Sequence, residues 1–418
     1  MLARCRSAAP AVTVLANVPV RCITRAIADA AERWADADFP PRVRLLEPIA
    51  ERTGYAIPAI EYALDQLFFS MTRSALETTI TNELGSLDAL ERGHERAGGG
   101  RFRARPIGRV AVISSRTTIG VAIVPAIFAL CAKCDVVVKD REDGLVRAFF
   151  ASLAEELDSF AEAAKADAWD GESDGVDLKL FDAVVAFGSD ETMGSLHAGV
   201  SPLARFIPYG SKASLGYVAR EALTHAAIRN LAEAAARDLV LYETEGCLSL
   251  HALFVERGGE IDALAAASHF AAAVERAAVE FPIGRRDAAS AARVAAARNL
   301  AAFRSASDGS PSAFSDANAS FLVMADPPLS EPPAFLPRTL AIHTVDGPAA
   351  ALDYVRAHRL PVEAVALAGS REDIVNMALD MGANRIARFG DLQSPPLGTT
   401  HGGRPRIAEF VRMIASDA

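Results

Sequence analysis

From position 110 onward, short β-branched apolar runs alternate with longer alanine-rich stretches at helical spacing. Val110 to Ile113, Val136 to Val138 and Ala183 to Phe187 are the clearest runs. Strands without polar alternation are buried on both faces, so this pattern predicts βαβ units and a parallel sheet. Earlier, from Ala26 to Leu84, apolar residues recur at the helical period, as in Ile60, Leu64, Leu67 and Phe68, and predict a helical preface. Between the two textures, GHERAGGGRFRARPIG has no period and reads as an arm or linker over about 93–107.

An amphipathic helix is expected from Ala222 to Ala235, leading into DLVLYETEGCLSLHALFVE. Past Cys247 come a strand candidate (Ala252 to Val255), an alanine-rich helical region from Ile261 to Phe303, and a Ser/Pro-rich loop from Ser305 to Ser315. Further strands are expected at Phe321 to Met324 and Thr339 to His343, which makes a second α/β domain. No repeat of 20 to 50 residues is present, so a solenoid is excluded.

Composition narrows the class. A chain of 418 residues with 51% apolar content has ample core for two or three domains. With 43 Lys+Arg against 53 Asp+Glu the net charge is -10, which argues against nucleic acid as the partner. Five cysteines (Cys5, Cys22, Cys131, Cys134, Cys247) do not form a disulfide framework and fit a reducing cytoplasm. The longest apolar stretch, Ile119 to Ala132, contains Pro125 and falls short of the roughly 20 residues of a membrane span. Arg4 and Arg6 precede an apolar run as in a signal peptide, but Pro10, Asn17 and Pro19 break it, so a cytoplasmic protein is expected.

Four places carry candidate chemistry. Cys247, in the Gly-flanked loop EGCLS at the junction of the two domains, reads either as a nucleophile or as a structural cysteine. Cys131 and Cys134 form CAKC, a redox pair or half a zinc site on paper. With no second CxxC and no paired histidines nearby, they read better as thiols packed at a helix end. In AVVAFGSDETMG a strand passes through Gly188 and Ser189 into a helix, where free N–H groups hold phosphate or Ser189 simply caps the helix. Lys139 follows the strand VVV, either facing a ligand crevice or opening a solvated loop. The eight histidines lack metal-ligand spacing, and no metal is expected.

Taken in order, FALCAKCDVVVKD, AFGSDETMG and EGCLSLHALFVE resemble the strand-and-lysine motif, Gly-Ser turn and nucleophile loop of the aldehyde dehydrogenase superfamily. RFIPYGSKASLGYV and ANRIARFGDLQSPPLGTTHGGRPRIAEFVRMI are similar to its bacterial, bioluminescence-type acyl-CoA reductase branch, and the resemblance covers roughly residues 25 to 418. It implies an α/β fold with a helical preface and Rossmann-like cofactor domain over 1–245, a catalytic α/β domain over 246–400, and a C-terminal helix over 401–418 packing back. It also implies Cys247 as acyl acceptor, Lys139 on the adenosine ribose, and Gly188 and Ser189 on the cofactor phosphates.

Departures from the superfamily pattern shape the expected chemistry. Where hydrolytic members place a water-activating glutamate before Gly-Gly-Lys, Pro208 stands before Gly210-Ser211-Lys212, so an acyl-Cys247 thioester should persist. The usual oxyanion asparagine is missing from SSRTTIG, which leaves Arg116 or Thr117 as donors. The glutamate that steadies the nicotinamide ribose has no equivalent in FLPRTLAIH. NADPH is the expected cofactor with NADH as alternative, since Glu142 disfavours a 2′-phosphate and Arg141 favours it. His251 is weighed as a proton donor against a packed histidine.

The expectation is therefore an acyl-CoA or acyl-carrier reductase that forms an aldehyde with NAD(P)H. An acyl-protein ligase or carrier protein is the expected partner, in a homo-oligomer without a terminal strand to exchange. The alternatives are an aldehyde dehydrogenase forming a free acid and a weakened scaffold subunit of an acyl-transfer complex.

Overall fold

A computed structural model describes residues 12–95, 100–115, 117–141, 144–167, 177–308 and 313–416. The chain forms two compact units, one of 1–52, 63–210 and 396–418, the other of 53–62 and 211–395. The division falls at Gly210, not at the expected 245, because the strand that follows Gly210 hydrogen-bonds within the second unit's sheet.

The helical preface is present as α1 (Val20–Ala35), α2 (Pro40–Thr53), α3 (Ile57–Ser70) and α4 (Arg73–Leu84). In the first unit its anchor is Trp34, fully buried against Phe68 at 5.2 Å, with Nε1 donating to Ser152 Oγ at 3.0 Å. The buried indole thereby keeps its polar handle satisfied.

The first unit continues through β1 (His94–Glu95), β2 (Arg101–Pro106), β3 (Arg109–Ile113), α5 (Ile123–Cys131), β4 (Asp135–Lys139) and α6 (Leu145–Glu156). There follow α7 (Phe160–Ala163), β5 (Ala164–Asp167), β6 (Ala183–Phe187), α8 (Asp190–Gly199) and β7 (Arg205–Tyr209). A wholly parallel sheet runs β5-β4-β3-β6-β7. Its order reverses at β3, the first strand laid down, so the carboxyl ends of β3 and β6 flank a topological switch point, where open α/β sheets bind ligands.

The second unit holds β8 (Ala213–Val218), α9 (Ile228–Val240), β9 (Leu250–Glu256), α10 (Ala263–Glu280), α11 (Ala288–Asp308) and β10 (Ala313–Phe314). It continues with β11 (Leu322–Ala325), β12 (Thr339–Val345), α12 (Pro348–His358), β13 (Val362–Ala368), α13 (Glu372–Asp380) and β14 (Arg385–Ala387). The sheet order is β10-β11-β12-β9-β8-β13-β14, parallel except for the β10–β11 pair. Alanines of α9 and α10, such as Ala232, Ala236, Ala266 and Ala273, are buried in one core with Leu253 and Val323. Small side chains let helices lie close to each other and to the sheet.

Several expectations are corrected. The expected arm contains β2, and the expected C-terminal helix is instead β15 (Val411–Ser416), which pairs antiparallel with β2 from Val411 opposite Pro106 to Ser416 opposite Arg101. A free strand edge supplied hydrogen-bond partners that helix propensity could not outweigh. The chain therefore does carry a strand near its C-terminus. The helical region 261–303 is two helices, broken at Pro282 and Gly284, where a side chain on Gly284 would collide with the Gly54 carbonyl. The loop expected from Ser305 is helical up to Asp308, and 309–312 lie outside the described residues. Among the described residues no helix is long and apolar enough to cross a membrane.

Candidate active site

At the switch point of the first unit, β3 ends in Ile113 and leads to Ser114, Ser115 and Thr117, with Ser115 Oγ 3.3 Å from Thr117 Oγ1. Thr117 is half-buried, and Arg116 lies outside the described residues. Lys139 closes β4 half-buried, its carbonyl accepting from Ser114 N at 3.4 Å. Glu142 lies outside the described residues, while Arg141 is described. β6 ends at Phe187, Gly188 N donates to the Tyr209 carbonyl at 3.2 Å, and Ser189 caps α8 by accepting from Thr192 N at 3.3 Å.

A Cβ on Gly188 would sit 3.3 Å from Thr192 side-chain carbons, so the glycine keeps strand and helix close. Strand order, glycine turn and helix start together fit a dinucleotide phosphate group. Tyr209 stacks on Phe187 at 4.8 Å and His401 on Tyr209 at 4.2 Å, an aromatic set beside this turn that the sequence reading did not single out.

CAKC is a helix stop. Cys131 ends α5, Lys133 takes a left-handed conformation (φ 65°), and Cys134 N returns to the Ala129 carbonyl at 2.9 Å. Both thiols are fully buried, closed to a partner thiol or a metal, and that burial pushes Cys134 up to about 12 and Cys131 higher still.

In the second unit the chain leaves α9 through Tyr242, Glu243 and Thr244, consecutive non-glycine residues with φ of 55°, 52° and 63°. Each costs roughly 1–2 kcal/mol. A buried clasp offsets this cost: Arg338 donates to Glu243 Oε2 at 3.1 Å and Oε1 at 2.6 Å, to the Phe281 carbonyl at 3.0 Å, and from its backbone N to Thr244 Oγ1 at 3.1 Å. Arg286 adds a contact to Glu243 Oε2 at 3.3 Å. Behind the clasp, Asp238 accepts from Gly390 N at 2.7 Å and Leu392 N at 3.1 Å, and Gln393 Nε2 donates to Ser249 Oγ at 2.9 Å.

Cys247 is half-buried on the loop so formed, and its carbonyl accepts from Ser214 Oγ at 2.8 Å. It stands before β9, at the amino-terminal edge of its sheet. Burial pushes the thiol up to about 12, helped by the Glu363 carboxylate. The Lys212 ammonium and the N–H groups of Cys247 and Leu248 pull the other way. Lys212 Nζ lies 2.7 Å from Glu363 Oε2. His251 is buried with Nδ1 accepting from Ser214 N at 3.3 Å, and burial lowers it to about 4, so at neutral pH it is an uncharged packed ring.

The sequence reading missed Glu363, Asp238 and Gln393. Only Glu363 left a trace, as a lone acid in the apolar run VEAVALA, where a buried charge requires a partner.

Solved structures with a similar fold include aldehyde dehydrogenase 21 from Physcomitrella patens in complex with the reaction product succinate. It shares 11% identity over 98% of this chain and 88% of that chain, with a TM-score of 0.71. A NAD-dependent benzaldehyde dehydrogenase from Corynebacterium glutamicum shares 16% over 96% and 87%, TM-score 0.68. Glyceraldehyde-3-phosphate dehydrogenase GapN from Methanocaldococcus jannaschii complexed with NADP shares 11% over 96% and 90%, TM-score 0.67. The fold is thus the aldehyde-dehydrogenase-like α/β fold. No curated protein matches the chain. The sequence family described as acyl-CoA reductase (LuxC) matches residues 15–413, and the chain belongs to it. It is an acyl-CoA reductase, an NAD(P)-dependent oxidoreductase.

Proposed function

We propose that the protein reduces an acyl-CoA, or the same acyl group on a carrier, to its aldehyde through an acyl-Cys247 intermediate. The observation that carries this reading is Cys247 itself. It is half-buried on a loop whose strained entry is clasped and whose carbonyl is fixed by Ser214, in a chain that matches the acyl-CoA reductase family. Cys247 attacks the thioester carbonyl, the carrier thiol departs, and the enzyme holds the acyl group as a thioester. The Cys247 N–H would steady the oxyanion.

Gly188 and Ser189 would hold the cofactor phosphates, and Lys139 the adenosine ribose. When bound, NAD(P)H supplies the hydride that reduces the acyl group. NADPH is the preferred form on this reading, supported by Arg141 next to the end of β4, with Glu142 pulling toward NADH. Pro208 in place of a carboxylate supports aldehyde over free acid as product. The first unit would serve the cofactor and the second the acyl group. A homo-oligomer joined along β15, where Met413 and Ile414 are exposed, and an acyl-protein ligase or carrier as partner complete the reading.

The test follows cofactor oxidation and product with acyl-CoAs of varied length, using NADPH and NADH in parallel. The wild type should form aldehyde and prefer NADPH, while Cys247→Ala should lose at least a thousandfold in kcat/KM. Retained turnover in Cys247→Ala would discard the acyl-cysteine.

A further inference from the structure

The described strand pairs of the second sheet break register at two places, and both involve Ser214, the residue whose hydroxyl holds the Cys247 carbonyl. Between β8 and β13, Val362 pairs with Ala213 and Ala364 with Ser214, so Glu363 is the extra residue. Between β8 and β9, Ser214 pairs with Leu250 and Leu215 with Ala252, so His251 is extra. Bulges of this kind re-aim a side chain and gather next to active sites.

Glu363 is only 3% exposed in an otherwise apolar strand. Its carboxylate is held by Lys212 Nζ at 2.7 Å and by Asn384 Nδ2 at 3.1 Å, both on Oε2. Burying such a pair is costly and contributes little stability by itself. Yet both charges act on the Cys247 thiol, Glu363 raising its affinity for a proton and Lys212 lowering it. Arg385, paired with Ala364 on the neighbouring strand, also faces the Glu363 charge, and His251 is uncharged at neutral pH.

We propose that Glu363 and Lys212 are the proton-transfer pair of Cys247. This rests on Cys247 being the nucleophile. As Sγ forms its bond to the thioester carbon, the S–H bond breaks and the proton passes to the Glu363 carboxylate. When the C–S bond to CoA breaks, that proton passes to the departing sulfur and the carboxylate is restored. Lys212 holds the negative charge throughout, on the carboxylate at rest and near Sγ during attack. The pair fills the acid–base position that neither Pro208 nor His251 supplies.

The experiment compares the full chain with Glu363→Gln and Lys212→Met in two readouts: stopped-flow release of CoA from an acyl-CoA without cofactor, and alkylation of Cys247 by iodoacetamide against pH. For Glu363→Gln, CoA release should fall about a hundredfold or more at pH 7 and recover toward the wild-type rate as pH rises, when hydroxide takes the thiol proton. Its alkylation profile should meanwhile move to lower pH, because a negative charge has left, and that of Lys212→Met should move to higher pH.

Release within about threefold of wild type at pH 7, loss by one factor at every pH, or two unmoved alkylation profiles would each overturn the proposal. The double variant Lys212→Met/Glu363→Gln removes both charges and is predicted to lose release with the same pH recovery. It serves if the single variant fails to fold. CoA release surviving in Cys247→Ala would instead remove the nucleophile reading, a result distinguishable from a failure of the pair alone.

Discussion

At the scale of single residues, two buried groups of the second unit pull stability in opposite directions with pH. Burial raises Asp238 from 3.8 to about 7, against the N–H groups of Gly390, Leu392 and Gln393 that favour its charge. The folded state therefore binds its proton more tightly than the unfolded state, and stability falls as pH rises from about 4 to about 7. His251 does the reverse. Burial lowers it from 6.5 to about 4, so its contribution is present above pH 6.5 and is lost as pH falls toward 4.

The effects are on the order of 4 kcal/mol for Asp238 and 3 kcal/mol for His251, with opposite slopes where their windows overlap, so the wild type should vary little between pH 4 and 6.5. Urea unfolding across pH should separate them. Asp238→Asn should leave a stability that climbs with pH, and His251→Asn, which keeps an acceptor for Ser214 N, should leave one that declines. Parallel curves for all three proteins would refute the assignment.

Among elements, the turn from α9 to Cys247 shows how a loop is held in an unfavourable backbone. Arg338→Met removes the bidentate partner of Glu243 and leaves Arg286 as its remaining cation. Breaking such a buried pair should lower unfolding free energy by about 3 kcal/mol. Cys247 should alkylate faster in that variant as its loop loosens, and Lys in place of Arg338 should rescue little, since an ammonium cannot supply the fork. An unchanged midpoint of thermal unfolding would contradict the clasp.

The β-branched strands β3, β4, β6 and β12 were legible because alternation with helices leaves few other readings of such runs. β8 (ASLGYV) and β13 (VEAVALA) were not read as strands, since glycine, alanine and a charged residue dilute the signal and only neighbouring strands supply the hydrogen bonds. The same limit hid half of the candidate site. Cys247, Gly188, Ser189 and Lys139 sit in local motifs, whereas Glu363 meets Lys212 through a register break that no local pattern encodes.

On the scale of the whole molecule, the proposed acyl chemistry lies within one unit. The second unit contains Cys247, Lys212 and Glu363, and the strand ends that carry Lys139, Gly188 and Ser189 belong to the first. The intact protein mixed with acyl-CoA alone should therefore release one equivalent of CoA and then stop. Mass spectrometry should find the acyl group on Cys247, persisting until NADPH is added. Continuous release of free acid would mean that water reaches the acyl-enzyme and that the missing carboxylate at Pro208 has been replaced by another base.

The pairing of β15 with β2 has a consequence for how the chain is made. On a ribosome, the edge of β2 emerges early and waits through roughly 300 residues of elongation, about 15–60 seconds at 5–20 residues per second, before its partner exists. An uncovered edge is a template for aggregation, and Arg101, Arg103 and Arg105 give it charges that repel a neighbouring nascent chain. Replacing those arginines with neutral residues should therefore cost soluble yield in cells more than it costs stability in the finished molecule.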